Sequence, residues 1–146
     1  MKKFFYILTL CILYGCGNAT HKSDKPIITV TIEPLRYFIE AIAGEHFKVV
    51  SMVPKGSSPE SYDPTPQQLI ALGNSQAYLR IGYIGFEQAW MKILEANHPN
   101  MMVYDTSQGI DLIRSEGHWH GDHFHEGGVE PHIWNSTRNA SMMADK

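Results

Sequence analysis

The sequence has few cysteines, two in 146 residues, and few charged residues, which make up 18% of the chain. Two cysteines exclude a disulfide-rich scaffold and a zinc site built from four thiolates. The formal net charge of −3 argues against nucleic acid as the main partner, because phosphate binding needs clustered lysine and arginine. The apolar share of 43% is nevertheless large enough for a hydrophobic core, so the length predicts one folded domain.

Common catalytic motifs are missing as well. Ser57, Ser58 and Ser61 lack the context of a nucleophile elbow, and Gly82 and Gly85 are not followed by the residues of a phosphate loop. The sequence also contains no His-Glu-x-x-His pair that would hold a catalytic zinc ion on a helix. A metal-dependent hydrolase is therefore the weakest hypothesis, and we expect no enzymatic activity.

An apolar run from Phe4 to Tyr14 follows two lysines at the N-terminus. Its 11 residues are too few for a membrane-spanning helix, which needs about 20. A basic start, a short apolar run and small residues after it are typical of a secretory signal, and Leu-Tyr-Gly-Cys resembles a bacterial lipobox. We expect residues 1–15 to be removed, Cys16 to carry a lipid, and residues 16–26 to form a tether.

Beyond the tether, β-branched runs alternate with amphipathic stretches. The predicted strands cover residues 27–31, 47–53, 77–81 and 101–104, and the predicted helices cover 34–43, 66–72 and 86–96. This alternation favours parallel βαβ units, so the predicted fold class is α/β with a parallel sheet. A further helix begins near Ser136 and stops at Lys146, which predicts that the printed chain is a truncated one.

Histidine is concentrated in a stretch rich in glycine and acidic residues, about 115–130. Four imidazoles fall within eight residues, at His118, His120, His123 and His125. Such a cluster is typical of a chelator for zinc-like ions, and the surrounding glycines predict a flexible loop rather than a rigid catalytic site. A merely polar loop is the alternative.

Glu60 and His132 are two further candidate ligands. In an α/β sheet, ligands bind at the carboxyl ends of the strands. Glu60 lies in the loop after the second predicted strand and His132 lies beyond the fourth, so the two residues could meet at one edge of the sheet. Carboxylate and imidazole both bind zinc, at about 2.0–2.2 Å. Spacing alone leaves two alternatives open, a solvated loop acid for Glu60 and a packed histidine before Trp134 for His132.

Four segments, taken in order, carry a family resemblance. They are Ile28-Thr-Val-Thr-Ile-Glu-Pro-Leu-Arg-Tyr-Phe, Met52-Val-Pro-Lys-Gly-Ser-Ser-Pro-Glu-Ser-Tyr-Asp-Pro-Thr-Pro, Gly82-Tyr-Ile-Gly-Phe-Glu-Gln-Ala-Trp and Glu130-Pro-His-Ile-Trp. Together they resemble the ZnuA-like group, the zinc and manganese substrate-binding proteins of bacterial ABC importers. The resemblance extends over residues 27–146.

The resemblance implies an architecture of two α/β lobes joined by one long helix, with the metal between the lobes. Residues 27–135 would be the first lobe and residues 136–146 the start of the joining helix. His132 matches the second metal histidine of the family, and the histidine-rich loop resembles that of zinc importers. Glu60 stands where the family has its first histidine, and Glu130 stands where aspartate is usual. The ligands of the second lobe would lie beyond the printed chain.

The function implied by the resemblance is capture of zinc, with manganese as the other candidate, and delivery to an ABC permease. The protein would be a monomer, held by its lipid at the membrane on the periplasmic or extracytoplasmic side. A carboxylate in place of the first histidine makes the site harder and weakens the preference for zinc, whereas the histidine-rich loop favours zinc. A surface lipoprotein adhesin of the same fold is the alternative.

Overall fold

Strands and helices alternate along the chain in the computed structural model, which describes residues 25–125 and 127–145. The strands are β1 Ile27–Val30, β2 Lys48–Ser51, β3 Ser75–Arg80, β4 Met102–Asp105, β5 His118–His120 and β6 His123–His125. The helices are α1 Glu33–Ala43, α2 Pro66–Leu72, α3 Gly85–Asn97 and α4 Thr137–Ala144, with short 3-10 turns at Gly44–His46 and Ile133–Asn135.

The main sheet is parallel and has the strand order β2-β1-β3-β4. Thr29 of the central strand β1 lies beside Val50 of β2 on one side and Tyr78 of β3 on the other. This sheet confirms the predicted α/β class. Because all four strands point the same way, the loops that follow them emerge at one edge, where ligands bind in such sheets.

The helix boundaries follow the local signals in the sequence. α1 has Pro34 in its first turn, where the missing N–H costs nothing, and ends at Gly44 with a φ of 56°. α2 begins with a capping box, in which Thr65 and Gln68 each accept a hydrogen bond from the other's backbone N–H. Ser136 caps α4 by accepting a hydrogen bond from the N–H of Asn139.

The core lies between the main sheet and its helices. Its most deeply buried large side chains include Tyr78, Phe86 and Leu94. Leu35 of α1 is also buried, whereas Ile42 on the same face of the helix is 62% exposed. Ile42 lies in the last turn of α1, where Glu40 and Ala41 are exposed as well.

The histidine-rich stretch is an antiparallel ribbon rather than the expected flexible loop. In β5 and β6, His118 pairs with position 125 and Trp119 with position 124. The same register continues towards the sheet, where Arg114 bridges Val129. Gly121 has a φ of 63°, which suits the two-residue turn at the tip. The sequence did not predict the pairing of β5 with β6, because glycine is depleted in strands and histidine is not typical of them.

The ribbon is joined to the rest of the chain by further backbone bonds. Ser115 N–H donates to Gly128, and Glu130 N–H donates to Ile113, both over 2.9 Å. Gly127 is required by a close approach, because a Cβ there would lie 2.2 Å from the carbonyl oxygen of Ser115. The glycines predicted to make this stretch pliable therefore include residues that permit strand pairing.

The expected signal segment, residues 1–15, Cys16 and most of the tether lie outside the described residues. Within residues 25–125 and 127–145, none of the helices combines the length and the apolar character needed to cross a bilayer. Attachment to a membrane through Cys16 stays a prediction.

Candidate metal site

Glu60 lies on the loop between β2 and α2, at the carboxyl edge of the sheet. Its side chain is exposed, and one carboxylate oxygen accepts a hydrogen bond from the backbone N–H of Gly85 over 2.9 Å. The neighbouring carbonyl of Pro59 accepts a bond from the N–H of Phe86, also over 2.9 Å. The loop therefore lies across the first turn of α3, and Glu60 faces the positive end of the helix dipole.

Two further hydrogen bonds join this loop to α3 and α2. The carboxylate of Asp63 accepts a hydrogen bond from the indole N–H of Trp90, over 3.1 Å. At the start of the loop, the side-chain amide of Gln68 donates to the carbonyl of Met52 over 2.7 Å. Glu60 is thus an exposed acid with a fixed backbone and a backbone partner, and this arrangement gives it a structural role even without a metal ion.

Gly85 makes the approach of Glu60 to the helix possible. A Cβ at Gly85 would lie 2.5 Å from the carbonyl oxygen of Glu60 and 2.8 Å from its carboxylate. Real Cβ atoms do not come so close, so the loop must move if any side chain is present there. Glycine is needed at this position for space.

Glu87, in the first turn of α3, is a buried acid that the sequence patterns did not identify. It is 3% exposed, and its carboxylate accepts hydrogen bonds from the hydroxyl of Thr31 and from the N–H groups of Ile81, over 2.8 Å, and Gly82. Burial raises the pKa of Glu87, and these hydrogen bonds act in the opposite direction. One signal could have revealed it: residues 87, 91 and 94 share one helix face, and the other two positions are apolar.

His132 follows the ribbon and immediately precedes the turn Ile133–Asn135. Its side chain is 57% exposed, and its ring lies 5.0 Å from that of Trp134. Glu130 contacts the ring nitrogen Nδ1 and also accepts a bond from the backbone N–H of His132, over 3.1 Å. These hydrogen bonds lower the pKa of Glu130. With Nδ1 engaged by a carboxylate, Nε2 is the nitrogen left for a metal ion, as is common for metal-binding histidines.

Glu60 and His132 both lie on segments that follow strands of the sheet, but no hydrogen bond or ion pair in the described chain joins them. Each is bonded to a different neighbour, Glu60 to Gly85 and His132 to Glu130. Among residues 25–125 and 127–145, no group of three or more His, Cys, Asp or Glu is arranged to hold a metal ion. An imidazole and a carboxylate suit zinc or manganese chemically, yet two ligands are fewer than the four of a closed zinc site.

The four histidine positions of the ribbon share one side of it. Position 118 lies opposite 125, and position 120 opposite 123. Because successive strand residues alternate between faces, the register places these four positions on one face and positions 119 and 124 on the other. From Ile113 at the base to His118 is five residues, about 17 Å along an extended strand. The ribbon histidine positions therefore lie towards its tip, away from the base where Glu130 pairs with Ile113.

These features define a class: an α/β lobe with a candidate carboxylate and a candidate imidazole ligand on segments that follow strands of its sheet, and with a histidine-bearing ribbon. The family model described as "Zinc-uptake complex component A periplasmic", ZnuA, matches residues 28–146. The chain belongs to this family.

Relatives named for different metals are similar to the chain. The iron ABC transporter substrate-binding lipoprotein MtsA of Streptococcus pyogenes serotype M1 is 31% identical, over 94% of this chain and 45% of that protein. The manganese-binding lipoprotein MntA of Halalkalibacterium halodurans is 28% identical, over 97% of this chain and 45% of that protein. The chain therefore spans about half the length of the curated relatives that it matches.

A solved structure shows the same lobe. The crystal structure of a ZnuA deletion mutant with zinc bound is 38% identical, with a TM-score of 0.72, over 84% of this chain and 44% of that one. This similarity agrees with the parallel sheet and confirms the family resemblance found in the sequence.

We predict that Gly85→Ala destabilises the chain by about 1–3 kcal/mol, the usual cost of overpacking, because the new methyl group displaces Glu60. Helix propensity alone predicts the opposite sign, since alanine is the better helix former. Urea unfolding measures the difference. Gly128→Ala is the matched control, because a Cβ there meets nothing within 4 Å. Equal stability of Gly85→Ala and the unmodified chain would show that the close approach is not needed.

Proposed function

We propose that this chain is the metal-binding lobe of a substrate-binding protein that delivers zinc to an ABC permease, with manganese as the other candidate cargo. Its role is capture and release, and no reaction is catalysed. The observation that carries the proposal is the pair of candidate ligands at the ligand-binding edge, each held by the chain: Glu60 by Gly85 and His132 by Glu130. Membership of the ZnuA family supports it.

The chain covers less than half of the length of its relatives, and this suggests where the missing metal ligands lie. Glu60 and His132 supply two ligands, and the chain spans about 45% of the relatives' length. We infer that a second lobe, present in a longer protein, contributes the remaining ligands and closes the site against water. In residues 16–146 alone, water would supply the remaining ligands of an ion bound by Glu60 and His132, so this site should bind zinc weakly.

The choice of metal rests on the ligands. Relatives of this chain are named for iron and for manganese, and a solved relative holds zinc. A carboxylate at position 60 favours harder ions, whereas the histidines of the ribbon favour zinc. We propose zinc because four histidine positions lie on one face of the ribbon, and imidazole suits zinc whereas manganese prefers oxygen ligands. The adhesin alternative is not favoured, since relatives are named as ABC transporter substrate-binding lipoproteins.

We predict that Glu60→Ala weakens zinc binding at His132 by roughly tenfold or more, because both side chains bind one ion and even an outer partner of a ligand contributes that much. The measurement is a zinc titration followed by the NMR signals of the His132 ring. It uses the chain with serine at the four ribbon histidines, so that the ribbon does not compete.

Glu45→Ala is the matched control for this titration, because Glu45 is an exposed acid that pairs with Lys25 across 3.6 Å. Identical titration curves for Glu60→Ala and Glu45→Ala would contradict the assignment and leave Glu60 as a carboxylate that only stabilises the start of α3. Glu60→His should keep binding and shift the preference towards zinc, because imidazole is the softer ligand.

The ribbon is proposed as an auxiliary zinc site. We predict that replacing His118, His120, His123 and His125 together removes most zinc binding by residues 16–146. These four imidazoles are close together in the sequence, whereas the site of Glu60 and His132 has only two ligands from this chain. Calorimetry measures the loss, and binding by the unmodified chain should weaken as the pH falls and imidazoles take up protons. A tight single-site isotherm from the replaced chain would show that the edge site is sufficient.

Cys16 is proposed as the lipidated first residue of a cell-envelope protein, outside the cytoplasm. The relatives are named as lipoproteins, which supports this proposal. We predict that Cys16→Ser releases the protein from membranes into the soluble fraction, because one thiol carries the lipid. Fractionation of cells that express each form is the measurement. A Cys16→Ser protein that stays membrane-bound with residues 1–15 attached would contradict the lipoprotein interpretation.

A further inference from the structure

We propose that Glu87 is a positioning residue for the metal site: by fixing the first turn of α3, it holds Glu60 where a metal ion can bind. The proposal rests on the proposed function, in which Glu60 is a ligand. Glu87 itself is 3% exposed, and so it acts through the residues that it contacts.

The first step runs from Glu87 to the sheet. Its carboxylate accepts a hydrogen bond from the hydroxyl of Thr31, which continues β1, and bonds from the N–H groups of Ile81 and Gly82, which continue β3. One buried group therefore joins the ends of two neighbouring strands to α3. Thr31 is itself fully buried, and its hydroxyl lies 3.1 Å from that of Tyr78, so the junction is enclosed by the core.

The second step runs from the first turn of α3 to Glu60. Gly85 and Phe86, which precede Glu87 directly, donate their N–H groups to the side chain of Glu60 and to the carbonyl of Pro59. The position of these two donors depends on where α3 begins. The backbone of Gly85 is in close contact with Glu60, with no space between them. A small shift of α3 towards the loop would therefore move Glu60 as well.

The chemistry of Glu87 explains why this position suits a carboxylate. The groups that face it, one hydroxyl and two N–H groups, are all able to donate to an ionised acid, which accepts only. Glutamine has the same shape but replaces one acceptor by an NH₂ donor. One of the three groups would then face a second donor, and the loop after β3 would have to move to avoid it.

A double-mutant cycle tests the proposal, with zinc as the probe and the His132 ring signals as the readout, in the chain with serine at the ribbon histidines. Glu87→Gln should weaken zinc binding by about tenfold when Glu60 is present, as expected for an outer partner of a ligand. It should have little further effect in the Glu60→Ala chain, because the ligand through which it acts is then missing. Glu95→Gln, an exposed acid on the same helix, is the matched control.

An equal loss in both backgrounds would overturn the proposal and make Glu87 a general stabiliser. An unchanged affinity in Glu87→Gln would overturn it as well. If Glu60→Ala alone leaves zinc binding at His132 intact, the proposed function fails first. The amide signal of Gly85 gives a readout without metal: Glu87→Gln should shift it, and an unshifted signal would show that Glu87 does not act through the bond between Gly85 and Glu60.

A second variant covers the case in which Glu87→Gln does not fold. Thr31→Val keeps the size of the side chain and removes one of the three donors to Glu87, so a smaller loss with the same dependence on Glu60 is expected. Thr31→Ser retains the hydroxyl and should restore affinity. Failure of serine to restore it would show that the hydroxyl is not the group that matters.

Discussion

The buried carboxylate of Glu87 joins the ends of two strands to α3, and the proposed metal site at the carboxyl edge of the sheet is built on this junction. A charged group in a core is costly unless donors surround it, and here the hydroxyl of Thr31 and two backbone N–H groups do so. Because these donors belong to segments that follow β1 and β3, the carboxylate fixes two strand ends and the start of α3 at once. The loop that carries Glu60 contacts the start of α3, where the N–H of Gly85 donates a hydrogen bond to the Glu60 carboxylate.

The two proposed metal ligands are held in two different ways. Glu60 is held by a backbone N–H, so its position follows from the main chain around Gly85. His132 is held by the side chain of Glu130, which fixes the orientation of its ring. Holding ligands in place reduces the ordering that binding requires. Both side chains remain exposed, in keeping with an edge that a second lobe would cover.

Much of the lobe could be predicted from local signals. Thr65, Ser136 and Gly44 mark helix ends through their own side chains or backbone, and β-branched runs mark the strands of the parallel sheet. The ribbon could not be predicted, because its pairing joins positions such as Arg114 and Val129 across a glycine-rich stretch with no alternating apolar pattern. Glu87 was missed although it shares a helix face with the apolar residues Met91 and Leu94, because acidic side chains are usually exposed.

The sequence by itself determined the α/β class, the family and the identity of the candidate ligands, because these follow from short motifs and from the alternation of strand and helix. Only the tertiary structure decided what each ligand touches: Glu60 the first turn of α3, and His132 the carboxylate of Glu130. It also decided that four histidine positions share one face, since strand register depends on backbone hydrogen bonds between residues distant in sequence. Such contacts form when the chain packs, and residue types alone do not specify them.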